Sequence, residues 1–201
     1  MARPRTFDEH EVVDRAMELF WTRGYETTSV ADLTAELGVH PGSLYRTFGD
    51  KHALFMKALA HYRDTRARGL APGLVAGGPV LPRIRAVLLG WIELAVEQDS
   101  PRGCLIANTA GELLPRDDEV ASSVREILAV VEDGFLQGLH AADRQGELAP
   151  GLDLPASAAL LTMLLEGLQV LVKADPDPGR FVAAIDAALA PMTPEPPATR
   201  R

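Results

Sequence analysis

Apolar residues recur at three- and four-residue spacing along nearly the whole chain, and no stretch alternates in the manner of a strand. The pattern predicts an all-α protein of about nine helices. The first, Asp8 to Arg23, carries a stripe of Val12, Val13, Ala16, Met17, Leu19 and Phe20. In the second, Val30, Leu33 and Leu37 share one face and Gly38 ends it. The third, His40 to Thr47, is about two turns long, with Leu44 and Phe48 turned inward, and needs its neighbours to be stable. The fourth, Asp50 to Leu70, buries Leu54, Phe55, Ala58, Leu59 and Tyr62. Ala71-Pro72-Gly73 and Gly77-Gly78-Pro79 cannot continue it and form the one clear boundary.

Beyond that boundary the chain is helical, acidic and richly apolar. Ile84, Val87, Leu88, Trp91, Ile92, Ala95 and Val96 mark a fifth helix, ended by Ser100-Pro101. A sixth spans about Gly103 to Leu114, and a seventh, Asp117 to Arg144, buries Val120, Val124, Ile127, Leu128, Val131, Phe135 and Leu139. The eighth follows Asp153-Leu154-Pro155 and reaches Ala174. It is apolar nearly all round, so it needs partners on two sides: its own domain and the same helix of a second copy. A last helix covers Arg180 to Leu189, where Ala183, Ala184, Ala187 and Ala188, with Gly167 on the eighth, permit close approach. The tail, 191–201, is proline-rich and is expected to be disordered.

The stretch Thr27 to Lys51 holds the most specific local signals. Ser29 followed by Asp32 makes a variant capping box, and a glycine turn leads to a short helix with a polar outer side. That is the layout of a helix-turn-helix, whose second helix enters the DNA major groove. From Phe7 to Tyr62 the chain resembles the DNA-binding domain of the TetR family of transcriptional regulators. The resemblance rests on Leu19, Phe20, Gly24 and Tyr25, then Thr27-Thr28-Ser29-Val30-Ala31, Leu37-Gly38-Val39, Gly42-Ser43-Leu44-Tyr45, Phe48, and Lys51 with Leu54 and Phe55. Pro41 departs from it, standing where a lysine or other polar residue is frequent; proline suits a first helical turn, but a polar contact is lost there.

The resemblance implies a head at 1–50, a linking helix and boundary at 51–79, an effector-binding and dimerisation domain at 80–190, and the tail. It implies a homodimer through the last two long helices, which reads two half-sites of a double-stranded DNA operator. Position by position it implies DNA contacts from Thr27, Thr28, His40, Pro41, Ser43, Tyr45, Arg46, Thr47 and Lys51, with Lys51 as a phosphate clamp. Arg3 and Arg5 offer a short basic arm for the backbone or minor groove.

Charge qualifies this reading. The chain carries a net −8, yet up to Arg66 nine Lys and Arg nearly balance ten Asp and Glu. Affinity for phosphate must come from a local basic surface, not from overall charge. No apolar run approaches the roughly 20 residues of a membrane span, no signal peptide is evident, and one cysteine fits a reducing compartment. The expectation is a cytoplasmic protein without membrane partner. No nucleophile elbow, phosphate loop or paired metal ligands appear, so neither an enzyme nor a cofactor or metal site is expected. His10-Glu11 lacks the second histidine of a zinc motif, and His140 with Asp143 near Ser122 and Ser123 is surface spacing.

The second half supplies candidate effector contacts: Trp91, Cys104, Asn108, Phe135, Met163, Glu166 and Gln169, polar or polarisable groups on apolar helices. Cys104 opens a short helix after Arg102-Gly103, where dipole and free amides favour a thiolate. Its Gly-Cys-Leu run resembles family members that respond to electrophiles or oxidants. The expected function is a homodimeric repressor released from a palindromic operator by a small molecule or by modification of Cys104, the fourth helix carrying the change. The rival is a constitutive or architectural DNA binder without effector.

Overall fold

The computed structural model describes residues 7–97, 102–174 and 177–194. Among these there are ten α-helical segments, two short 3-10 turns and no strand. The helices are α1 (Glu9–Arg23), α2 (Val30–Leu37), α3 (Pro41–Phe48), α4 (Lys51–Thr65), α5 (Leu70–Val75), α6 (Val80–Glu97), α7 (Leu105–Leu113), α8 (Asp118–Arg144), α9 (Leu154–Leu171) and α10 (Pro178–Leu189). The basic arm at Arg3 and Arg5 and most of the proline-rich tail lie outside the described residues.

Two compact units result, and they cut the chain differently from a single boundary near Gly78. One takes the chain to Ala67 together with Cys104–Ile127; the other takes Arg68–Gly103 and everything from Leu128. The first unit thus holds α1–α4, α7 and the start of α8.

Within the first unit α1 packs on α2, α4 and α7, and α3 packs on α2 and α4. Its centre is aromatic. Phe20 meets Phe55 edge-on with centroids 5.0 Å apart, Tyr25 lies 4.7 Å from Phe55, and Trp21 stands edge-on to Tyr62 at 5.4 Å. Such pairs add about 0.5–1.5 kcal/mol each beyond their buried area. Ser29 and Asp32 form a complete capping box at the start of α2. At its other end Gly38 takes the left-handed conformation, φ 66° and ψ 27°, and the Arg15 guanidinium donates to the last carbonyls, those of Glu36 and Leu37.

In the second unit α6 packs on α5, α9 and α10. Here the chain departs from expectation: α4 stops at Thr65, and Ala71-Pro72-Gly73 lies inside a helix instead of ending one. Pro72 sits in the first turn of α5, where a missing N–H leaves no bond unmade. Besides α6, α8 lies against α5. A Cβ on Gly134 would stand 3.1 Å from the Leu70 side chain, and one on Gly138 3.0 Å from that of Leu74. Two glycines one turn apart make the slot that α5 fills.

The eighteen-residue α9 is, among the described residues, the one helix long and apolar enough to pass for a membrane span on length and composition alone. Its buried side runs through Ser157, Ala158, Leu161, Thr162, Leu165, Leu168 and Gln169. Leu160, Met163, Val170 and Leu171 form a second apolar stripe, each between 43% and 65% exposed.

Candidate nucleic-acid interface

The short helix α3 is amphipathic in the way a reading helix requires. Leu44 and Phe48 are buried, anchoring one side. His40 caps its start, the ring Nδ1 accepting from the Gly42 N–H at 3.2 Å, and Pro41 occupies the first turn. His40, Pro41, Gly42, Tyr45 and Arg46 are exposed, and Ser43 and Thr47 half-exposed. Tyr45 is a large aromatic left 47% accessible, and Arg46 has no ion pair among the described residues. The outer face thus offers hydroxyls, a guanidinium and an imidazole, the groups that meet phosphates and base edges.

Gly42 sharpens the picture. It lies inside a helix, where glycine costs about 0.5–1 kcal/mol relative to alanine, yet a Cβ there would meet only the His40 ring, at an ordinary 3.5 Å. Nothing in the chain's own packing calls for a glycine at this exposed point.

Two expected contacts are placed otherwise. Thr28 is fully buried, its hydroxyl donating to the Gly24 carbonyl at 2.6 Å and its N–H to that of Tyr25, so neither group is left for a phosphate. Thr27 remains exposed, its hydroxyl donating to the Arg23 carbonyl. The Lys51 ammonium is turned inward as well: it donates to the carbonyls of Tyr25 and Thr28 and lies over the Tyr25 ring. A lysine here looks like a phosphate ligand in sequence, but at the start of α4 its ammonium reaches back to two carbonyls of the preceding turn, of which that of Tyr25 also accepts the Thr28 N–H. Two of its three protons satisfy them.

The same turn is gripped from the other side by a residue that spacing did not single out. Glu112, near the end of α7, accepts the Tyr25 N–H at 2.9 Å and the Glu26 N–H at 2.7 Å, one on each carboxylate oxygen. Burial, then the charge of Asp50, raises the Tyr25 phenol above its ordinary range. His52 on α4 meets Asp117 at 2.9 Å, and Arg63 pairs with Glu126 at 2.7 Å. Asp117 also accepts the Val120 N–H at the start of α8; that bond first, and His52 after it, holds its carboxyl below the usual range.

The expected effector contacts are drawn from both units. Cys104 and Asn108 belong to the first unit; Trp91, Phe135, Met163, Glu166 and Gln169 to the second. Phe135 is fully buried core. Met163, 65% exposed, belongs to the outer stripe of α9. Gln169 is 2% exposed, and its Oε1 has no hydrogen-bond partner among the described residues. A groove of about 460 Å³ lies in the second unit between Leu81, Arg85, Glu147, Asp186 and Leu189, lined by none of the expected residues. Cys104 caps α7, its Sγ accepting from the Ile106 N–H at 3.2 Å, with the Tyr62 hydroxyl 3.8 Å away. Among the described residues no cluster of His, Cys, Asp and Glu could hold a metal ion.

An all-helical chain whose first unit presents a helix-turn-helix is a DNA-binding transcriptional regulator in class. Comparison with known proteins gives the family. The model of bacterial regulatory proteins of the tetR family matches residues 12–58, and that of the tetracyclin repressor-like C-terminal domain matches residues 80–188. The chain is 33% identical to the uncharacterized HTH-type transcriptional regulator YezE of Bacillus subtilis, over 94% of this chain and 98% of that one. It is 30% identical to the HTH-type transcriptional repressor ComR of Escherichia coli, over 84% and 80%. A cysteine mutant of the TetR family regulator CifR, complexed with 26-bp operator DNA, superposes with a TM-score of 0.81 at 30% identity, covering 95% of this chain and all of that one. The chain belongs to the TetR family. It is a DNA-binding regulator of transcription and not an enzyme.

Proposed function

We propose that the chain acts as a homodimeric repressor of a palindromic operator, released either by a small molecule or by covalent modification of Cys104. The outer face of α3 carries this reading: an anchored two-turn helix with its polar side, including Pro41, Ser43, Tyr45, Arg46 and Thr47, left outward. One such helix reads too few bases for specificity, and a twofold pair reads two half-sites. The exposed stripe of α9 supports the pairing, since a helix already buried along Leu161, Leu165 and Leu168 has no use for a second apolar face alone in water. A protein that acts on operator DNA works in the cytoplasm, and that location belongs to the same reading.

For release, Cys104 is the sharper candidate. It is 2% exposed and its sulfur fills the cap of α7 beside Tyr62 of α4. An adduct has no room there without moving α7 or α4, and both pack on α1 within the DNA-reading unit. A non-covalent effector with an N–H or O–H group is the other route, supported by the buried acceptor of Gln169; leaving such a group unmatched costs about 1–3 kcal/mol.

Selection of binding sites from random duplex DNA, with and without thiol alkylation, tests this. An enriched palindrome is expected. Loss of binding on alkylation, absent in Cys104→Ser, assigns release to the cysteine; survival of binding assigns it to a non-covalent ligand. No enrichment overturns the reading.

A further inference from the structure

Glu112 is the only charged residue of α7, and its carboxylate reaches neither solvent-facing partners nor a basic side chain on α1 but two successive backbone amides, those of Tyr25 and Glu26. Three further observations bear on the same contact. Gly24 has φ +89°, and a Cβ there would stand 3.1 Å from both Glu112 oxygens, so the carboxylate sits where any other residue would carry its side chain. Arg116, beyond α7, pairs with the Glu26 carboxylate at 3.2 Å and donates to the Glu112 carbonyl. Lys51 takes the opposite, carbonyl side of the turn at Tyr25 and Thr28.

The turn from Gly24 to Thr28 joins α1 to the capping box of α2, and so sets the angle at which the helix-turn-helix leaves α1. Two of its amides are held by α7 and two of its carbonyls by α4. Charge-assisted bonds to two amides from one rigid fork fix direction as well as distance. The helix that bears Glu112 at one end is capped at the other by Cys104, eight residues or about 12 Å away.

We propose that Glu112 is a positioning residue for operator binding: its carboxylate sets the α1–α2 turn, and a shift of α7 reaches the reading helix through it. The proposal rests on the operator-binding reading above. In Glu112→Gln one acceptor oxygen becomes an NH₂ group that faces an N–H, so one amide loses its partner while shape is kept. In Glu112→Asp both acceptors remain on a shorter stem.

The test uses the full-length protein and the palindrome selected by the wild type; if the wild type selects none, it is the operator reading that fails, before Glu112 is tested. Operator affinity, melting temperature and amide hydrogen exchange at Tyr25 and Glu26 are compared for the three proteins. The expected result is an affinity loss of tenfold or more in Glu112→Gln, with faster exchange at those two amides, a melting temperature within a few degrees of wild type, and recovery of most of the affinity in Glu112→Asp. Unchanged affinity in Glu112→Gln overturns the proposal. So does a loss of affinity that merely follows a large fall in melting temperature and is shared by Glu112→Asp, since that describes a support of the fold and not a setter of its geometry.

Discussion

The ammonium of Lys51 donates to the backbone oxygen of Tyr25 at 2.9 Å while standing 4.1 Å from the centre of the same residue's ring. One side chain therefore fixes both the backbone and the ring of the residue that turns the chain out of α1. Removing it takes a charged donor from two carbonyls, and leaves that of Tyr25 with the Thr28 N–H alone. Lys51→Met is expected to destabilise the protein by about 2 kcal/mol, the scale of hydrogen bonds to a charged group. A phosphate ligand behaves differently: its loss reduces the slope of log affinity against log salt by about one. Denaturant unfolding and a salt titration of operator binding separate the two, and the expected outcome is lower stability with an unchanged slope.

Gly42→Ala is expected to move stability and DNA binding in opposite directions. Its Cβ meets only the His40 ring at 3.5 Å, so the gain in helix propensity, about 0.5–1 kcal/mol, is kept. The added methyl stands on the outer face of α3 and holds the DNA backbone off. Thermal melting should rise by a few degrees while operator affinity falls; a variant that gains both would show that DNA does not approach this point.

Met163→Glu places a charge in the middle of the outer stripe of α9. At 65% exposure the residue supports nothing inside its own chain, so the folded protomer should survive with melting nearly unchanged at low concentration. In the dimer the same charge is buried without a partner, at a cost of several kcal/mol. Sedimentation should report monomer, and operator binding should become weak and non-cooperative. A dimer that persists in Met163→Glu would place the interface elsewhere.

The acid limb of stability is expected to depend on Asp117. Its carboxyl lies below the usual range in the folded protein because it accepts from the Val120 N–H and then from His52. A depressed pKa contributes stability that is complete above the unfolded value, near pH 4, and is lost as pH falls through the folded value below it. Asp117→Ala should therefore cost roughly 1 kcal/mol at pH 7, the scale of a lost helix cap, and progressively less below pH 4. Urea unfolding of both proteins at pH 7 and pH 3 checks the sign: a difference that grows on acidification would be inconsistent with it.

Legibility differed between the two halves for physical reasons. The helix-turn-helix could be read because its determinants are local: Ser29 and Asp32 cap within one turn, Gly38 breaks a helix by itself, and Leu44 and Phe48 declare an inner face four residues apart. Contacts made across large sequence separation were not legible. Glu112 grips amides 86 and 87 residues earlier, and nothing near it in sequence announces that. The DNA contacts expected of Thr28 and Lys51 follow from the family resemblance, spacing alone offering no more than polarity; in the structure both side chains donate to backbone carbonyls. For α5 a signal did exist, since Gly134 and Gly138 one turn apart on an amphipathic helix mark a slot for a neighbour. Gly103 carried a similar message: a Cβ there would stand 2.6 Å from the Gln169 carbonyl oxygen.

The reading unit is assembled from two stretches of chain, 7–67 and 104–127, separated by some thirty-five residues that belong to the other unit. A ribosome therefore delivers the helix-turn-helix long before it delivers Glu112, Asp117 and Glu126, and the nascent head must wait for them. The same discontinuity governs recombination. A head transplanted between relatives by a single crossover after the linking helix leaves behind the carboxylates that hold its turn and its fourth helix, whereas an exchange that also carries residues 104–127 moves the unit whole.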